Sequence, residues 1–249
     1  MESLYQRDLA YIHAVGFGGL AKGAAPEIVR LLRSAAIRIE RVVDVGCGAG
    51  LLTKVLVDEG FEVTGIDTSL ELLEIAHAVC PTAQFVNASV YETKIPTCEA
   101  VIAIGEPLAY HDDPDADHLV GQFFRRVASV LPPGGIFIFD LVELGEPSLA
   151  GRFWSLGEDW AVIVETTENQ SERTLVRNIE TFRRVDEFYR RGREVHKVRL
   201  FDTPAVCAGL DSCGFTTRTA KSYGEQQLPP RRRSFIATRV ASTDSVTCA

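Results

Sequence analysis

No apolar run in this sequence approaches the roughly 18 residues that a membrane-spanning helix needs. The opening residues, Met1 to Asp8, also lack the basic start and apolar stretch of a secretory leader. Neither a span nor a leader is therefore expected, and the cytoplasm is the expected compartment. Six cysteines (47, 80, 98, 207, 213 and 248) include no Cys-x-x-Cys pair and no metal-like spacing with the five histidines. They read as reduced core thiols, and no metal site is expected. Positive charge is short as well: 26 Lys and Arg face 34 Asp and Glu, a net charge of -8 that repels a phosphate backbone. The lone basic run, Arg231-Arg232-Arg233, reads as a turn before the last strand. No nucleic-acid partner is expected.

What remains is an ordinary soluble composition, 46% hydrophobic with 20 Gly and 11 Pro in 249 residues. Ile28, Leu31, Leu32 and Ala35 recur at helical spacing, with Pro26 expected in the first turn of a helix over 26–36. Short apolar runs at 42–45, 61–66, 84–87, 100–104 and 136–140 alternate with helical patterns, and Thr68-Ser69-Leu70-Glu71 reads as a capping box opening one of them. Such alternation predicts a parallel, doubly wound sheet. From about residue 154 to 202 the period falls to two, over 160–168, 174–185 and 188–202, which predicts an antiparallel meander. A helix opening at Thr203-Pro204, two further strands (215–223 and 234–237) and a frayed end from 241 follow.

Val42-Val43-Asp44-Val45 runs straight into Gly46-Cys47-Gly48-Ala49-Gly50 and a new helical period. Glycines let a backbone approach a ligand closely, and a helix N-terminus offers free N–H groups and a positive dipole end. The dinucleotide fingerprint G-x-G-x-x-G is not met, because Leu51 stands where its third glycine falls. Asp44 beside the turn would also repel a pyrophosphate; it suits a cofactor that carries its own positive charge. The segment 43–50 resembles the first motif of the class I S-adenosylmethionine-dependent methyltransferases. Asp67, ending the second strand, is similar to the acidic residue that holds the ribose hydroxyls in that family, and the resemblance continues through 102–106 and 131–135.

The resemblance implies a Rossmann-like α/β fold: a doubly wound seven-stranded sheet, mostly parallel with an antiparallel last strand, plus a small antiparallel β insertion. Residues 1–150 and 203–249 would form one domain, with 1–25 a lid-like segment and 151–202 an inserted subdomain serving as substrate cover or dimer contact. It also implies S-adenosylmethionine as cofactor and S-adenosylhomocysteine as product. Gly46, Cys47, Gly48 and Gly50 would pass under the methionine part, with Thr68 and Leu72 flanking the adenine. Ser89 and Val90 stand where many members have an adenine-binding aspartate, and Asp44, Ile104, Gly105 and Tyr11 of the lid complete the expected cofactor set.

Methyl transfer from a sulfonium is an in-line displacement, so a protein mainly aligns the partners, excludes water and accepts a proton where needed. The loop after the fourth strand offers Glu106, Tyr110 and His111 as the expected catalytic contacts. Trp154, Trp160, Arg177, Glu180, Arg184 and His196 are candidates to line the acceptor cavity, whereas His77 and His118 read as surface residues. Asp/Asn-Pro-Pro-Tyr and Pro-Cys motifs are absent after the fourth strand, which disfavours base and glutamine methylation. The expected reaction is transfer to a nitrogen or oxygen of a small molecule by a monomer or homodimer. The alternatives are a nicotinamide-dependent oxidoreductase and a cofactor-binding module without turnover.

Overall fold

The computed structural model describes residues 4–110 and 116–241. Helices α1 (Arg7–Gly16) and α2 (Gly19–Arg33) lead into β1 (Arg41–Val45), α3 (Leu51–Asp58), β2 (Glu62–Asp67), α4 (Leu70–Val79), β3 (Gln84–Asn87) and β4 (Ala100–Ala103). A 3-10 turn, Pro107–Ala109, precedes α5 (Ala116–Val130) and β5 (Ile136–Val142). Next come β6 (Gly151–Leu156), β7 (Trp160–Asn169), β8 (Thr174–Val185) and β9 (Phe188–Arg199). The chain closes with α6 (Thr203–Ser212), β10 (Phe215–Ala220), the short β11 (Ser222–Tyr223) and β12 (Gln226–Gln227), and β13 (Arg232–Arg239). Among the described residues no helix is long and apolar enough to cross a membrane.

Seven strands pair in the order β10-β13-β5-β4-β1-β2-β3, and only β13 runs against its neighbours. The central strands β4 and β5 are buried throughout, as expected of a sheet covered on both faces. Alternation divides the core between the faces. Val43, Val101, Phe137 and Phe139 pack under α5 and α6, whereas Val42, Ala100, Ile102 and Ile138 pack under α2 and α3. The strand order reverses between β1 and β4, which is where open α/β sheets bind ligands.

Three local expectations are corrected. Pro26 lies inside α2, not in its first turn, because the buried stripe of Ala24, Ala25, Ile28, Val29, Leu31 and Leu32 outweighs the one hydrogen bond that proline forgoes. The N-cap of α4 is Ser69, whose Oγ accepts from the Leu72 N–H, one residue beyond the predicted Thr68. The meander has a fourth strand, β6, hydrogen-bonded to β7. It escaped the period-two reading because five of its six residues are exposed, leaving no apolar-polar alternation to detect. His77 and His118 are surface residues, as expected.

Candidate active site

Between β1 and α3 the three glycines of the turn all adopt positive φ, at +65, +53 and +72 for Gly46, Gly48 and Gly50. A Cβ on Gly46 would stand 2.2 Å from the Pro107 Cβ. At Gly48 the nearest atom to such a Cβ is His13 Cε1 at 4.0 Å, so a bare patch of backbone faces α1. Asp67 is fixed at the end of β2: Oδ2 accepts from the Gly48 N–H and Oδ1 from the Ser69 N–H, both at 2.9 Å. Burial raises its carboxyl, against the pull of those N–H groups. Asp44 lies under the turn, 2% exposed, and accepts from Thr53 Oγ1 at 2.6 Å. Burial pushes it up to about 7 even though the Thr53 hydroxyl favours its charged form. Cys47, Leu72 and Val90 are buried and Thr68 is exposed. Ser89 Oγ accepts from the Tyr91 N–H in its own turn.

The N-terminal segment covers this turn. Ala10 and Ala14 of α1 pack with Ala49 and Leu72, small residues that let the helix sit directly on the loop. The segment entering α1 is clasped at three points: the Tyr5 and Gln6 N–H groups donate to Glu194 of β9 at 2.8 and 3.0 Å, and Ser69 Oγ donates to the Tyr5 carbonyl at 2.9 Å. Tyr11 does not face the turn. Its hydroxyl donates to Asp159 and its ring lies under the Arg183 guanidinium, 3.6 Å from the centroid. His13 is the α1 side chain that does. Its Nδ1 is buried without a hydrogen-bond partner, and burial, with His196 adding to it, pushes the imidazole down to about 4.

Beyond β4 lies the loop from which acceptor contacts were expected. The Gly105 and Glu106 N–H groups both donate to Asp140 at 3.0 Å, holding Glu106 in a left-handed conformation with φ of +64. Its buried carboxylate meets two guanidiniums, Arg177 of β8 and Arg232 of β13, the latter at 2.6 Å. Burial alone would raise this carboxyl, but the two arginines outweigh it and hold Glu106 below the usual range. Tyr110 donates to Glu106 at 3.4 Å and shares a 3.0 Å hydrogen bond with the Tyr5 hydroxyl. His196 stands edge-on to Tyr5 and Tyr110, its Nε2 2.9 Å from Glu194. His111 lies outside the described residues.

Of the insertion candidates, Arg177 and His196, opposite each other across β8 and β9, reach the site. Trp160 packs with Leu9 and Ile12 of α1, Trp154 is 67% exposed, Glu180 pairs with Arg191 and Arg184 is exposed. Sequence reasoning missed Tyr5, Glu194 and Arg232. Glu194 was detectable, since it lies two residues from His196 and shares its strand face. Arg232 was misread, because it and Arg233 open β13 and Arg231 alone of the run stands in the turn before it. Among the described residues no cluster of metal-ligating side chains occurs, and Asp140 is engaged by two backbone amides and by Tyr223.

A methyltransferase domain matches residues 42–135, the span from β1 through the glycine turn to β5. Over this span the chain is similar to the class I S-adenosylmethionine-dependent methyltransferases. The methyltransferase domain leaves the nicotinamide-dependent alternative without support. Over 183 residues, covering 70% of this chain and 73% of the other, the sequence is 28% identical to the putative methyltransferase YqeM of Bacillus subtilis (strain 168). The fold is similar to that of an S-adenosylmethionine-dependent methyltransferase from Clostridium acetobutylicum, with a TM-score of 0.79, 18% identity and coverage of 93% and 98% of the two chains. It is similar as well to CalS10, an amino pentose methyltransferase from Micromonospora echinaspora solved with S-adenosylmethionine bound, with a TM-score of 0.74, 18% identity and coverage of 96% and 100%.

Proposed function

We propose that this methyltransferase transfers the methyl group of S-adenosylmethionine to a nitrogen or oxygen of a small-molecule acceptor. The observation that carries the reading is the Asp67 carboxylate tied to Gly48 at the sheet's switch point, directly beneath a clasped N-terminal helix. The residues fit this cofactor. Each Asp67 oxygen accepts one backbone N–H and has capacity for a second donor, which suits two ribose hydroxyls. The positive-φ Gly48 leaves its backbone bare where the methionine part would lie, and the His13 Nδ1 lacks a partner near that spot.

When bound, S-adenosylmethionine supplies an electrophilic methyl group on a sulfonium. The protein's part is to align and enclose. The segment over 4–25 and the inserted sheet over 151–202 close the site from two sides, excluding water from the line of attack. Tyr5, Tyr110 and Arg177 orient the acceptor. Glu106, held charged between two guanidiniums, is a poor proton acceptor and serves to fix Arg177 and Arg232. His196 takes a proton from an acceptor hydroxyl or ammonium through Nδ1, the nitrogen that Glu194 does not engage. The net charge of -8 favours a metabolite over a polyanion.

Calorimetry with S-adenosylmethionine and S-adenosylhomocysteine tests the cofactor reading, which fails if neither binds at millimolar concentration. A screen of amines and hydroxyl compounds for S-adenosylhomocysteine release then tests turnover. Cofactor binding with no acceptor methylated would favour the non-catalytic module instead.

A further inference from the structure

We propose that His13 is a cofactor-binding residue, its imidazole Nδ1 taking a hydrogen bond with the amino-acid end of the cofactor above Gly48. This rests on the function proposed above and adds a residue to it. Three observations lead to His13. Its ring lies over the turn, with Cε1 4.0 Å from the position a Gly48 Cβ would occupy and no closer atom there. Ala10, one helical turn earlier on the same face of α1, is completely buried against Ala49 and Leu72, so the helix cannot swing the ring elsewhere without leaving the turn. The Nδ1 atom is buried with no hydrogen-bond partner, in a side chain whose ring meets Tyr5 edge-on at 4.9 Å.

A buried, unpaired ring nitrogen costs a folded protein stability unless something arrives to pair with it. Apolar packing would be served as well by a phenylalanine, which has no atom to leave unsatisfied. The groups facing His13 are Tyr5 of its own segment and His196 of β9, and neither bonds to Nδ1. The neutral imidazole can donate to a carboxylate or accept from an ammonium, and the amino-acid end of the cofactor presents both. Tyr11, the lid residue suggested by the sequence, is turned toward Asp159 and cannot share this role.

The test compares two ligands on three proteins by calorimetry: S-adenosylhomocysteine, and 5′-methylthioadenosine, which has the adenosine and the sulfur but no amino-acid end. His13→Phe should weaken S-adenosylhomocysteine about tenfold or more and leave methylthioadenosine within about twofold of wild type. His13→Asn, whose side-chain amide places a polar atom near the original Nδ1, should recover part of the lost affinity. An equal loss for both ligands, or none for either, would overturn the assignment, because His13 would then act through packing or not at all. Failure of wild type to bind either ligand would instead bring down the cofactor reading itself.

Discussion

Asp44 should make this protein less stable as the pH rises, and the effect can be sized. The carboxyl is 2% exposed and hydrogen-bonded to Thr53, and burial moves it from an ordinary 3.8 up to about 7. Because the folded-state value is the higher, the unfolded chain ionises first. Folding stability therefore falls as the pH climbs through the window from about 4 to about 7, and is level above it. Each tenfold change in proton affinity is worth about 1.4 kcal/mol, so the full penalty approaches about 4 kcal/mol, and relaxation around the charge brings the expected range to about 2–4 kcal/mol. Asp44→Asn preserves the shape and an oxygen for the Thr53 hydroxyl but cannot ionise. In urea unfolding without ligand across that window and beyond, the variant's advantage should widen until about pH 7 and then stay constant. Parallel stability profiles for the two proteins would refute the reasoning, because they would mean that Asp44 titrates like an exposed carboxylate.

The remaining predictions concern the groups around it. Asp67→Ala should weaken S-adenosylhomocysteine by roughly 2–4 kcal/mol in calorimetry, since it removes the acceptor for two hydroxyls and unties Gly48 from β2. Glu106→Gln should lower stability in urea unfolding by about 3–5 kcal/mol, because two guanidiniums stay buried without their shared counter-charge. As the folded-state value of Glu106 is depressed, its contribution is present above its ordinary 4.5 and fades as the pH falls below that. Gly46→Ala should cost at least about 2 kcal/mol, read as a lower urea midpoint, because a side chain there combines a positive φ with a 2.2 Å approach to Pro107.

The seven-stranded sheet and the glycine turn were legible because both are written in local signals. Apolar strands that end at Asp44-Val45 and Ile66-Asp67 carry their own stops, and the turn needs glycines at three positions whatever surrounds it. The acceptor side was less legible, since it is assembled from segments far apart in sequence. Glu106 and Arg232 are 126 positions apart and meet only because β13 runs antiparallel beside β5, which places Arg232 opposite Val142 at the end of the strand that carries Asp140. No periodicity predicts that register. Tyr11 and His13 illustrate a different limit: both belong to a helix with buried Leu9, Ala10 and Ile12, and which of them meets the turn depends on how α1 rolls onto Ala49. Sequence spacing supplies the helix but not its rotation.

Three features that tax the free protein sit around the switch point between β1 and β4: the buried Asp44 carboxyl, the unpaired His13 Nδ1 and the left-handed backbone of Glu106. Strain and unsatisfied polarity of this kind persist where function needs them. The three do not behave alike, and that separates their roles. Neutralising Asp44 or replacing His13 with phenylalanine should raise or preserve stability while weakening the cofactor, the signature of a group held ready for a ligand. Replacing Glu106 should lower stability without touching affinity for methylthioadenosine, because its partners are Arg177 and Arg232 and not the cofactor. If Glu106→Gln instead gained stability, the two guanidiniums would be held apart by something other than its carboxylate, and the acceptor side would have to be rebuilt around Asp140.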